Sequence, residues 1–212
     1  MGSGTKPIIQ DMKDWQIITL ERLFHNFFGE SLYKSMYRIP DHEERLRFLV
    51  QQVERITGLQ NFGVYMNKLL TIDAFFLNED RHMHNIAVLM NGKGDYAYCP
   101  IFDNGAGLLA DTTMDCPLTG NIYILMDKDR PKTICSAFDE QLDISEFLYK
   151  MNLKFRFTKK DVTELLENAE GYSDEIRKRG GNDYICTNEK ISVFVFENIE
   201  DYNKWRHITK ER

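Results

Sequence analysis

The sequence predicts a mainly helical fold that holds one small β-hairpin. Apolar residues recur at helical spacing over most of the chain. In one place the period changes, to two short apolar runs, "IAVLM" and "YAYCPIF", around "NGKGD". Cap and stop residues punctuate the elements. At 212 residues, with 42% hydrophobic and 28% charged, the chain has the balance of a globular protein and the length to bury a sizeable core.

Taken in order, residues 11–29 carry Trp15, Ile18, Leu23, Phe24, Phe27 and Phe28 at helical spacing, with Gly29 as the stop. Asp41 with Glu44 three residues on forms a capping-box-like start for a helix that ends at Gly58. A third helix is predicted over 61–76. The Asn91-Gly92 pair between the two apolar runs is a strong hairpin signal. From Asp103 to about Ser136 the sequence reads as one long irregular stretch, and loops of that length inside a domain are usually functional. Helices resume over 139–151, over 159–169 behind a Thr158/Asp161 cap, over 173–179, and over 188–207, although "ISVFVF" in the last alternates like a strand.

Composition narrows the classes. The net charge of −6 argues against non-specific nucleic-acid binding, which needs a basic surface. The basic residues that gather from Lys150 onward read as solvated helix faces. Cys99, Cys116, Cys135 and Cys186 lack paired metal-ligand spacing and read as reduced thiols of a cytoplasmic protein. No apolar run reaches membrane-spanning length, and residues 1–4 read as an expression remnant.

The segment "NEDRHMHNIAVL", Asn78 to Leu89, concentrates charged and amide side chains just before an apolar run. A hairpin brings its two ends together, so Asp80, Asn85 and Asp103 can meet at one mouth. Two carboxylates and an amide oxygen form a hard-oxygen set that suits Mg²⁺, an ion normally shared with substrate phosphates. Phosphoryl transfer uses one aspartate to orient the attacking hydroxyl, and an asparagine and a second aspartate to hold metal. Arg81 reads as a structural ion-pair former and His82 as a packed loop histidine. His82 and His84 have no further imidazole or thiol nearby to complete a zinc set. Thr112, Thr113, Thr119 and Ser136 read as turn residues first.

Asp-Arg-His-x-x-Asn at 80–85, then a hairpin, then Asp103 with Gly105, resembles the catalytic core of the HipA-like serine/threonine kinases. The phosphatidylinositol kinases share a similar loop and an Asp-x-Gly metal site. The resemblance implies that residues 5–212 form the C-terminal helical lobe of a protein-kinase-like fold. It places the catalytic loop and metal-binding hairpin at 78–105 and an activation-segment-like loop at 104–136. It implies Asp80 as the catalytic aspartate, His82, Asn85 and Asp103 as the nucleotide-binding set, and Asn85 and Asp103 as the metal ligands. ATP and Mg²⁺ are the implied cofactors and a protein hydroxyl the acceptor, with an antitoxin or a separate N-terminal lobe as further partners. Asp-Asn-Gly at 103–105 replaces the Asp-Phe-Gly of ordinary protein kinases, a replacement compatible with the HipA-like resemblance. The sequence departs from the pattern by offering three helical segments and no strand set before Asp80. Gly2 to Gly4 form no phosphate loop, Lys6 stands alone, and Lys13 falls in a predicted helix. A lipid-kinase lobe and a pseudokinase-like interaction module are the competing readings.

Overall fold

In the computed structural model the described residues are 14–110, 116–117, 121–153, 159–168, 174–175 and 177. Among the described residues three strands and seven helices run in the order β1 (Trp15–Thr19), α1 (Leu20–Phe28), α2 (Leu32–Tyr37), α3 (His42–Thr57), α4 (Phe62–Phe76), β2 (Ala87–Asn91), β3 (Tyr96–Tyr98), α5 (Ile122–Lys128), α6 (Phe138–Tyr149) and α7 (Lys159–Glu167). They fall into two compact units. The first draws on the stretches Met1–Ala74, Asn78–Gly107 and Arg130–Asn152, the second on Phe75–Leu77, Leu108–Asp129 and Leu153–Arg212.

The first unit corrects the prediction of a helix over 11–29 and the expectation that no strand precedes Asp80. Trp15–Thr19 is a strand, antiparallel to β2, with Trp15 opposite Asn91 and Thr19 opposite Ala87. Strand β2 is buried on both faces at its start, and β1 packs apolar residues on either side of it, which explains why the spacing misled. Ile18 and Val88 join the main core, while Trp15 packs on the other side against Ala87, Leu89 and Cys99. Two apolar residues three apart lie on one face of a helix but on opposite faces of a strand. The helix begins only at Leu20, where Thr19 Oγ1 accepts from the Arg22 N–H, and it stops at Gly29 with φ 72°.

The hairpin forms where expected. Asn91 Oδ1 accepts from the Lys93 and Asp95 N–H groups, and Gly94 takes φ 85°. Its second strand ends at Tyr98, short of Asp103. The Asp41 cap and the Gly58 stop both hold for α3, where Asp41 Oδ1 accepts from Glu44 N–H at 2.8 Å. The short α2, opened by Ser31, has too few residues to show a period. In the core, α4 meets α6 through Asn67, whose amide nitrogen donates to Ser145 Oγ at 3.0 Å and whose Oδ1 accepts from the Asn152 backbone. A Cβ on Gly63 would fall 2.2 Å from Cε1 of Tyr149, so only glycine lets α4 pass that ring.

In the second unit the stretch expected to be irregular over 103–136 contains α5, which buries Leu125 and Met126. Asn121 caps it, its Oδ1 accepting from Ile124 N–H. The helix predicted over 159–169 is observed as α7, while Thr158 lies outside the described residues. Asp174, Glu175 and Arg177 are helical, and the segment 188–207 lies outside the described residues, as does Cys186. Cys99, Cys116 and Cys135 are buried. Among the described residues no helix is long and apolar enough to cross a membrane.

Candidate active site

The loop carrying Asp80, His82 and Asn85 hangs between the end of α4 and the start of β2, and each end is fixed by backbone chemistry. Helix α4 closes with Leu77 in the left-handed region at φ 50°, where glycine is usual. The Asn78 N–H then reaches back to Asp73 O at 2.8 Å, the long closing bond of a Schellman motif. At the other end, the first free N–H groups of α1 donate to the loop: Leu20 to Ile86 O at 2.8 Å and Glu21 to Met83 O at 3.2 Å. Strand β1 thus positions a helix start whose orphan donors hold the loop.

Arg81 is the centre of the arrangement. It is wholly buried and grips Asp73 with Nε and Nη2 at 2.9 Å each. Asn78 Nδ2 donates to the same carboxylate at 2.9 Å. Burial pushes the Asp73 carboxyl above its ordinary value, and Arg81 with Asn78 pulls against that. The rest of the guanidinium donates to Asn85 O at 3.0 Å, to Phe102 O, and to Asn104 Oδ1. One planar fork therefore ties the Asp80 loop to the segment on either side of Asp103. Arg81 is the structural ion-pair former the sequence suggested.

The three oxygen donors have different settings. Asn85 is buried, and its Nδ2 donates to Asp80 O at 2.9 Å. That bond commits the nitrogen end of the amide to the loop. Asp80 is half-exposed; Lys132 Nζ stands 3.1 Å from its Oδ1 and His82 Nε2 3.9 Å from its Oδ2. Asp103 is exposed and holds φ 56°, a left-handed backbone. The structure brings the backbones flanking all three together at Arg81. His82 is half-buried and edge-on to His84, and its Nδ1 is buried without a hydrogen-bond partner. The donor set, carboxylate and amide oxygen without thiolate, fits Mg²⁺.

Three residues here escaped the sequence reading. Lys132 reaches Asp80, and next to it Thr133 Oγ1 donates to Arg81 O at 2.7 Å, which pins the segment carrying Lys132 beside the loop. Asp73, the partner that holds Arg81, was hidden inside an apolar helix. A buried acid in the last turn before the loop was the only available signal.

No family model matches the chain, and no curated protein does. Among solved structures the chain is similar to the crystal structure of a Helicobacter pylori proinflammatory kinase, CtkA. The identity is 14%, the TM-score is 0.54, and the match covers 84% of this chain and 68% of that one. At this level of identity the likeness speaks to fold: the chain has a kinase-like fold, mainly helical with a small three-stranded antiparallel sheet.

Proposed function

We propose that this chain is the helical lobe of an ATP- and Mg²⁺-dependent kinase of the HipA-like kind, transferring a phosphoryl group to a serine or threonine hydroxyl of a protein. The observation that carries the reading is the Arg81 fork, which binds the backbones beside Asn85 and Asp103 to one buried guanidinium. The fork keeps the segments carrying the candidate ligands beside each other, as a shared ion site requires. The kinase-like fold supports it, and the structural neighbour is itself called a kinase.

In this reading Asp80 accepts a hydrogen bond from the attacking hydroxyl and takes up its proton as the new P–O bond forms and the bond from the γ-phosphorus to the departing ADP breaks. Asn85 Oδ1 and the Asp103 carboxylate would hold Mg²⁺, and the ion, when bound, would offset charge on the phosphates. In this reading His82, whose Nδ1 is buried without a partner, belongs to the nucleotide-binding set. Lys132 holds the Asp80 carboxylate in place until a hydroxyl displaces it. The cover over the phosphates and the lysine that contacts them come from an N-terminal lobe, in the same chain or another.

The interaction-module reading has one observation in its favour, that Lys132 already engages Asp80. Calorimetric titration of the chain with ATP, with Mg²⁺ and with chelator, separates the two. Kinase ancestry with a working site predicts Mg²⁺-dependent binding that falls roughly tenfold or more in Asp103→Asn, with thermal stability kept. Equal affinity in the variant, or indifference to Mg²⁺, sinks the enzyme reading.

A further inference from the structure

A second cluster of ligand-type side chains lies in the first unit, and none of it belongs to the phosphoryl-transfer set. His42 opens α3, Glu140 sits in the first turn of α6, and Cys135 lies in the loop just before α6. Their ligand atoms all fall within 4.8 Å of one another, with His42 Nδ1 2.5 Å from Glu140 Oε1. Cys135 is buried at the base of the group, while His42 and Glu140 are partly open to solvent. A cation therefore has a way in.

We propose that His42, Cys135 and Glu140 form a site for a borderline-soft divalent cation of the Zn²⁺ class, with water as the fourth ligand. Imidazole nitrogen, thiolate sulfur and carboxylate oxygen are the three donor types this ion takes, and three protein ligands leave one position for solvent. The charges balance, since one thiolate and one carboxylate neutralise the dication. Tetrahedral bonds of about 2.0–2.3 Å set neighbouring ligand atoms roughly 3.3–3.7 Å apart. The His42–Glu140 pair has to open by about 1 Å to reach that spacing, and two half-exposed side chains can do so by small rotamer changes. Arg45 is nearby, but its guanidinium donates to Ile39 O and Ile134 O and lies over the Tyr37 ring. Burial pushes the Cys135 thiol up to about 11, against which the Arg45 charge pulls only weakly, so a bound cation has to displace the thiol proton.

The site has a consequence for the neighbouring loop. Cys135 follows Thr133 and Lys132, the residues that bond to Arg81 O and to Asp80. A cation that fixes Cys135 to α3 and α6 also fixes the segment carrying Lys132. This claim does not depend on the kinase reading, because its readout is metal binding.

The chain, freed of metal by a chelator, is titrated with Co²⁺ and then with competing Zn²⁺, while absorption is followed. One equivalent of Co²⁺ should give a thiolate-to-metal charge-transfer band that Zn²⁺ bleaches. Affinity should fall at least about 100-fold in Cys135→Ser and in His42→Gln, and at least about tenfold in Glu140→Gln, with Cys99→Ala unchanged. His42 is a partly exposed residue, so its variant decides the matter even if Cys135→Ser fails to fold. Absence of stoichiometric binding, binding without a thiolate band, or a band that survives in the His42 variant overturns the proposal.

Discussion

Arg81 has no exposed surface, and every direction of its fork is occupied. Removing one partner of a buried ion pair leaves the other charge uncompensated, at a cost of about 3–5 kcal/mol. Arg81→Met should lower the urea midpoint accordingly, and Arg81→Lys should rescue little, since an ammonium cannot bridge Asp73, Asn85 and Phe102 together. An unfolding free energy within about 1 kcal/mol of wild type would show that the fork is not what joins the loop to the Asp103 segment. Lys132 should behave in the opposite way. It is an exposed partner of Asp80, and exposed pairs contribute about 0–1 kcal/mol, so Lys132→Met should leave the midpoint nearly unchanged. Its effect should appear in turnover of a two-lobed kinase, where Asp80→Asn is expected to lower kcat far more than it weakens ATP binding. A Lys132 variant that unfolds readily would recast that lysine as a structural residue.

Among the elements, those with their own punctuation were legible. Asp41 and Gly58 bracket α3 in the sequence as they do in space, and Asn91-Gly92 announces the hairpin. Strand β1 was not legible, because its hydrogen bonds go to β2, far along the chain, and its apolar residues serve two different cores. The site shows the same division. Asp80, Asn85 and Asp103 could be picked by chemistry and order, whereas Asp73 and Lys132 matter through contacts that no local pattern encodes. Close approach is likewise invisible in sequence. Gly63 reads as a helix flaw, yet Tyr149 fills the space where its Cβ would stand. Gly63→Ala should therefore destabilise the chain by about 1–3 kcal/mol despite alanine's better helix propensity. Tyr149→Leu should recover part of that loss, and a double-mutant cycle without coupling would break the link between the two helices at this point.

For the whole molecule the buried acids set an upper pH limit. Burial pushes the Cys99 thiol up to about 11 from an ordinary 9.0, and pushes the Tyr65 hydroxyl well above its usual range. The folded chain keeps these protons while the unfolded chain releases them, so the stabilisation is complete below pH 9 and is lost as pH rises towards 11. Urea midpoints at pH 7, 9 and 10.5 should fall across the last interval; a flat profile would mean that these groups titrate normally. Alkylation of Cys99 in the native chain should also be slow at neutral pH and fast in denaturant, by peptide mapping.

Asp103 adds a different kind of consequence. At φ 56° it occupies backbone territory that glycine and asparagine inhabit most easily. A library randomised at this codon and passaged for heat tolerance alone should drift towards those two residues. The same library passaged for catalysis, in a complete kinase, should return aspartate. The separation between the two populations would measure how far selection for chemistry has held this position away from what the fold prefers.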